Sequence, residues 1–294
     1  MLTKILKTIL IILLILFPVL GGILVLSSHT PYTEGNSMAN FVLIYAAFAF
    51  VAVFVLIWIT RKYQHLFVQP VLPGVILFGV GLVMMGIAGL AAPPDLTIKM
   101  LDHPEREHFR YIVLFVGAVL FGFYFLQVWS KNSLQLSTTF KGLLLVMTSL
   151  IMIEMIWEFS HHYHYPEGLK AWVDAGNQAE DFNKHYDDSK SMILGAIGRI
   201  LVYTLMVWLS IRLYKIRRIR IWSPILTAVL CAFGIISAVT YFTYAVVDME
   251  VPKSVEFLFL FFIPGLPFLI LYWIGVALLT KSNATSGPAT TSLT

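Results

Sequence analysis

The chain has 294 residues, of which 59% are hydrophobic and 12% are charged, with a formal net charge of +4 and a mean hydropathy of +0.83. A soluble globule of this size needs more polar surface than this composition supplies, so an ordinary soluble domain is excluded. We expect an all-α polytopic membrane protein.

Apolar runs follow one another along the chain, each about as long as the roughly 20-residue helix that crosses a bilayer. The polar links between them are too short to form a second folded domain. We predict eight spanning helices in one domain over 1–280, followed by a disordered cytoplasmic tail over 281–294. The predicted spans are 5–27, 40–60, 71–92, 110–130, 142–160, 190–213, 223–247 and 255–280.

The first run also allows another interpretation. Lys4 and Lys7 precede its apolar residues, as in a signal peptide that is cleaved from the mature protein. The apolar stretch is longer than usual for such a peptide, and no typical cleavage site follows it. We therefore treat it as the first span.

Charge predicts the orientation. With a cytoplasmic N-terminus, twelve Lys and Arg residues and no acid fall on the inner side, while all sixteen Asp and Glu fall outside or in the outer halves of helices. Cytoplasmic links of membrane proteins carry excess Lys and Arg. The sequence therefore predicts that both termini are cytoplasmic, with a bacterial inner membrane as the location.

The stretch "EMIWEFSHHYHYPEG", 154–168, places acids and histidines at the outer end of the fifth span. Glu154, Glu158, His161 and His162 recur at helical spacing and therefore share one helix face. Glu154 lies about seven residues, or roughly 10 Å, below the point where the chain becomes polar. A carboxylate at that depth must be protonated, paired or in contact with a wet cavity.

Arg199, in "GAIGRILVY", is a candidate partner. It lies at nearly the same depth on the sixth span, which runs antiparallel to the fifth. We expect it to pair with Glu154 or Glu158, either as a structural strut or as a functional site, and the glycines before it allow close helix approach. Replacing Glu154 with glutamine would then strand the arginine. The candidate catalytic residues are Glu154, Glu158 and Arg199.

The histidines and acids also suggest a divalent metal site, since imidazole and carboxylate are common metal ligands. A single metal held by the outer histidines is one possibility. A two-metal centre is another, because "EREH" repeats the Glu-x-x-His spacing of "EFSH" at the start of an extended fourth span. The candidate ligands are His161, His162, His164, His185, Glu105 and His108, with Glu154, Glu256 or Asp248 as further carboxylates in the two-metal case.

Two prolines mark the last span. Pro264 and Pro267, in "IPGLP", should bend or unwind the helix and release carbonyl groups that need another donor.

Several functions lack support in the sequence. There is no phosphate-binding Gly-x-x-x-x-Gly-Lys loop, no Gly-x-Ser-x-Gly elbow and no His-Glu-x-x-His helix. The basic "KIRRIR" is short and has no nucleic-acid recognition module beside it. Three functions remain for the acidic and histidine-rich site at the outer ends of the fourth to sixth spans: a metal-dependent membrane enzyme, a carrier for a cation or proton-coupled solute, and a non-catalytic membrane subunit that docks a partner subunit through its outer loops.

Overall fold

The structure, a computed structural model, describes residues 2–31, 35–62, 79, 81, 83, 86, 98–187, 189–247, 252–258, 261 and 265–280. All regular secondary structure in these residues is helical. The α-helices are α1 Leu2–Leu20, α2 Met38–Lys62, α3 Glu105–Ser130, α4 Thr138–Tyr163, α5 Tyr165–Asp174, α6 Ala179–Tyr186, α7 Ser189–Lys215, α8 Trp222–Val247 and α9 Gly265–Thr280.

Within the described chain, four helical segments are long and apolar enough to cross a membrane. They are Glu105–Ser130, Thr138–Asp174, Lys190–Lys215 and Trp222–Tyr244. Shorter apolar helical segments occur at Met38–Phe54 and Gly265–Leu278. Helical residues are described within every predicted span, although the span at 71–92 is represented only by residues 79, 81, 83 and 86. The tail at 281–294 lies outside the described residues. The expected all-helical membrane class is confirmed.

Helix α3 has one exposed apolar face and one buried apolar face. One stripe of large apolar side chains, repeating every three or four residues, is exposed, as expected for a lipid-facing surface. Its members are Ile112, Phe115, Val119, Phe123 and Leu126. The opposite stripe is buried in a core shared with α4, α7, α8 and α9, and it consists of Leu114, Ala118, Phe121, Phe125 and Val128.

The start of α3 agrees with the sequence. The helix begins at Glu105, directly after Pro104, so Glu105 and His108 lie in its first turns as expected. Helix α3 packs against α4, and α7 packs against both α4 and α8. The first turns of α3, the end of α4 and the first half of α7 therefore lie at the same end of the bundle.

The segment between α4 and α7, which links the predicted spans 142–160 and 190–213, contains the short helices α5 and α6. These helices bury a small apolar cluster against the 3-10 turn at Ile98–Asp102. The cluster consists of Met100, Tyr165, Leu169, Ala179 and Phe182. Because its members repeat at helical spacing, two amphipathic helices can fold over the end of α4.

The structure describes parts of the last predicted span. A 3-10 turn occupies Glu256–Leu258, Phe261 is helical, and α9 covers Gly265–Thr280. The phenol of Tyr203 donates to the Phe261 carbonyl at 2.6 Å, and the Ser237 hydroxyl donates to the Leu258 carbonyl at 2.7 Å. Neighbouring helices therefore supply donors to two carbonyls of this segment. Pro264 itself lies outside the described residues.

Candidate functional site

The face of α4 predicted from the sequence is buried inside the bundle at Glu154 and Glu158 and reaches the edge of the bundle at His161 and His162. Glu154 and Glu158 are 5% and 6% exposed, so both carboxyl groups are withdrawn from the surroundings. His161 and His162, one turn further along, are half-buried. The four side chains thus run from the core of the bundle to its polar end.

Arg199 of α7 lies opposite this face and is only 1% exposed. Its Nη2 donates a hydrogen bond to Oε1 of Glu158, and its Nη1 lies 3.7 Å from Oε1 of Glu154. The predicted pairing of Arg199 with the glutamates of α4 is confirmed. Glu158 is the direct partner, and Glu154 is the more distant one.

Gly198 creates the space for this arrangement. A Cβ atom at position 198 would overlap the carboxyl group of Glu154, so any other residue would force that side chain to move. The glycine therefore allows α7 to approach α4 where the buried charges meet, as a small residue at a membrane helix interface does.

The cluster of Glu154, Glu158 and Arg199 contains two carboxyl groups and one guanidinium. Both oxygens of Glu154 and the Oε2 atom of Glu158 are buried, and none accepts a hydrogen bond from the described residues. Burying an ionised carboxylate without hydrogen bonds is costly. The one guanidinium of this cluster neutralises the charge of only one carboxylate. If both glutamates were ionised, the cluster would keep one negative charge.

A second cluster lies at the end of the same helix face. Single ligand atoms of His161, His162 and Asp187 all lie within 4.8 Å of one another, and each residue is partly buried. The Nε2 atom of His161 is 3.2 Å from Oδ1 of Asp187. Asp187 follows α6 directly, so the fold of the 165–186 segment brings it to α4.

Aromatic rings hold His161 in place. Its imidazole stacks between Trp157, at a centroid distance of 5.3 Å, and Tyr186, at 4.3 Å. The Tyr186 phenol also donates to the His161 carbonyl at 2.6 Å. Burial, followed by the carboxylates of Asp187 and Glu167, raises the pKa of Tyr186 to about 12. The phenol therefore stays protonated and able to donate at neutral pH.

His162 has an available ring nitrogen. Its Nδ1 atom is buried and has no hydrogen-bond partner among the described residues. Tyr111 of α3 packs edge-on against the ring, with centroids 5.6 Å apart. A buried imidazole nitrogen without a partner, beside another imidazole and a carboxylate, can serve as a metal ligand.

The other predicted ligands lie in different contacts. Glu105 is exposed and 3.2 Å from Nδ1 of His103, and Nε2 of His108 is 2.9 Å from Oε1 of Glu167 in α5. The ring of His185 stacks on Trp172.

Neither Glu-x-x-His turn brings its own glutamate into the cluster of His161, His162 and Asp187. Exposed His164 packs edge-on against Tyr163. Of the six predicted metal ligands, the structure brings only His161 and His162 into the cluster with Asp187. Asp248 and the side chain of Glu256 lie outside the described residues.

Sequence reasoning missed Asp187 and a second buried ion pair. Nη1 of Arg110 contacts both carboxylate oxygens of Glu107, at 2.6 and 2.7 Å, with both side chains buried in the first turns of α3. The i, i+3 spacing of these residues was visible, and so was the continuation of that face by Tyr111 and Leu114. The position of "EREHFR" at the start of an extended fourth span gave no sign that these two residues are buried.

No protein-family model matches the chain, and comparisons with curated proteins and with solved structures find no match. The function must therefore be argued from the site.

Proposed function

We propose that the chain is a multi-pass inner-membrane protein with eight spans and cytoplasmic termini, and that His161, His162 and Asp187 bind one divalent transition metal ion on its outer side. The observation that carries this proposal is the convergence of the three ligand atoms within 4.8 Å of one another. Two imidazoles and a carboxylate suit Zn²⁺ and related ions.

The set of three ligands is also consistent with catalysis. Catalytic zinc sites use three protein ligands and keep the next position open for water or substrate. On this proposal His161, His162 and Asp187 would hold the ion, which would supply Lewis-acid chemistry when bound. Tyr186 and Trp157 position His161 by the contacts described above, and the buried Glu158–Arg199 pair holds α4 and α7 together beneath the site.

The orientation rests on charge. The polar links that contain Lys131, Lys141 and the 215–220 segment lie at the opposite end of the bundle from His161. The positive-inside tendency assigns that basic end to the cytoplasm. The metal cluster then lies on the outer side, where metal can reach it without crossing the membrane.

The test is metal binding by the purified, chelator-free protein. We expect Co²⁺ to give the visible absorption of a site with nitrogen and oxygen ligands, and Zn²⁺ to displace it with a stoichiometry of about one per chain. Loss of an outer-shell contact typically weakens metal binding about 10–100-fold. His161→Ala and Asp187→Asn each remove a proposed ligand, so each should weaken metal binding by at least this factor. His164→Ala is the matched control, because this neighbouring histidine lies outside the cluster.

Unchanged binding in both ligand variants would refute the site. Absence of metal from the unaltered protein, together with a partner that co-purifies through the 161–189 segment, would instead favour a docking subunit.

A carrier for a cation or a proton-coupled solute is the second candidate. The observation that favours it is the uncompensated carboxyl group beside Arg199, inside a helix long and apolar enough to span the membrane. Ionisable groups at such positions mark ion and proton pathways. Uptake of metal into proteoliposomes, driven by a pH gradient, would favour the carrier over the enzyme.

A further inference from the structure

We propose that Glu154 is a proton-binding site of the folded protein, separate from the metal cluster, and that it carries its proton while Glu158 remains ionised against Arg199. The proposal goes beyond metal binding and does not depend on it.

The geometry distinguishes the two glutamates. Glu158 accepts a hydrogen bond from Arg199, whereas Oε1 of Glu154 lies 3.7 Å from Nη1 of that guanidinium. The direct hydrogen bond favours the charged form of Glu158. Glu154 is equally buried but has no hydrogen-bond donor among the described residues. The negative charge is therefore better placed on Glu158.

A proton would satisfy the atoms that now lack a partner. Glu154 and Glu158 lie one turn apart on the same helix face and both approach Arg199, yet as two carboxylates they are acceptors only. Protonated Glu154 becomes a donor toward Glu158, whose Oε2 atom is buried and otherwise accepts nothing from the described chain. One proton thus converts two opposed acceptors into a hydrogen-bonded pair.

The charges around Glu154 also favour one bound proton. Among the described residues, the ionisable groups that act on Glu154 are Glu158 on its own helix and Arg199 on α7. Tyr111 of α3 and Tyr203 of α7 act electrostatically on Glu158, and both are neutral phenols at pH 7.

His162, at the end of the same face, also acts electrostatically with Glu158. The formal charge of Glu154, Glu158 and Arg199 together is −1 without the proton and zero with it. A neutral cluster costs less in a low-dielectric layer than a charged one.

Infrared spectroscopy of the metal-free protein in lipid nanodiscs tests the proposal. At pH 7 we expect the carbonyl-stretch band of a protonated carboxylic acid, which shifts when the glutamates carry a ¹³C label. The band should be absent in Glu154→Gln. It should persist in Glu107→Gln, the matched control, because Glu107 is a buried glutamate held directly by Arg110.

Absence of the band from the unaltered protein would overturn the proposal, and so would its persistence in Glu154→Gln. Glutamine has the size of the protonated acid and can donate in the same way, so the thermal unfolding midpoint of Glu154→Gln should stay close to that of the unaltered chain. A midpoint of Glu154→Gln far below that of the unaltered chain would contradict the proposal as well, because a neutral side chain of the same size should fit where a protonated glutamate fits. Since metal is absent throughout, failure of the metal site would leave these outcomes unchanged.

Discussion

Arg199 donates a hydrogen bond to Glu158 across the interface of α7 and α4, and the two side chains are almost completely buried. Because the sequence places both glutamates of α4 within reach of the arginine, it does not distinguish its direct partner. The structure assigns that role to Glu158 and places Glu154 3.7 Å from the guanidinium. This assignment changes what each substitution should do.

The first prediction concerns stability. Replacing Glu154 alone should not strand Arg199, contrary to the expectation from the sequence, because Glu158 remains. Replacing both glutamates with glutamine leaves a buried guanidinium that cannot lose its proton, at a cost of about 3–5 kcal/mol in unfolding free energy. Arg199→Gln should cost less than this double replacement, since carboxyl groups can take up protons. Chemical denaturation in detergent measures the unfolding free energies of these variants and hence their order.

Exposed Glu105 is the control for this series. Its replacement by glutamine should change the unfolding free energy by less than about 0.5 kcal/mol. A double glutamine variant as stable as the unaltered chain would contradict the buried ion pair.

The second prediction concerns Gly198. An alanine there would overlap the Glu154 carboxyl group, so Gly198→Ala should lower stability by about 1–3 kcal/mol, as overpacking does. At Gly195, on the same helix, a Cβ atom would meet nothing within 4 Å. Gly195→Ala should therefore be neutral or stabilising by up to about 1 kcal/mol. Thermal unfolding compares the two.

A double-mutant cycle checks the cause of the Gly198 effect. If Glu154 is the obstacle, Glu154→Ala should remove most of the penalty of Gly198→Ala, giving a coupling free energy clearly different from zero. Additive effects would show that the overlap with Glu154 does not determine the loss.

The third prediction is a pH dependence. Folding raises the pKa of Tyr186 from the ordinary value of 10.0 to about 12, so the neutral phenol is favoured in the folded state. Its contribution to stability is complete below pH 10.0 and is lost as the pH rises from there through about 12. The unfolding midpoint of the unaltered protein should therefore fall more steeply over that range than that of Tyr186→Phe. Parallel curves would remove Tyr186 as the titrating group.

The fourth prediction tests the sides of the membrane. A cysteine at Ala175, which is exposed in the turn after α5, should react with an impermeant maleimide in intact cells. One at Ser133, at the opposite end of the bundle, should react only after permeabilisation. Ser133 is chosen rather than neighbouring Asn132, because a cysteine at 132 would disturb the turn. Asn132 has a positive φ of 45°, and its side-chain oxygen accepts a hydrogen bond from the Leu136 amide. The reverse labelling pattern would invert the proposed orientation.

The sequence by itself determined the membrane class and the residues of the α4 face. Both depend on local periodicity: long apolar runs identify spanning helices, and the spacing of Glu154, Glu158, His161 and His162 places them on one face of any helix they form. The approximate depth of Arg199 also followed, because antiparallel helices joined by one link have a fixed relation along the membrane normal.

Only the tertiary structure decided which of these residues meet. The rotation of α7 about its axis directs Arg199 to Glu158, and the folding of α5 and α6 over α4 brings Asp187 to His161. The first turns of α3 bury Glu107 with Arg110, although their sequence resembles a surface segment. Helical spacing specifies a face but not its neighbour, because the neighbour depends on helix rotation and packing, which arise from contacts between residues distant in the chain.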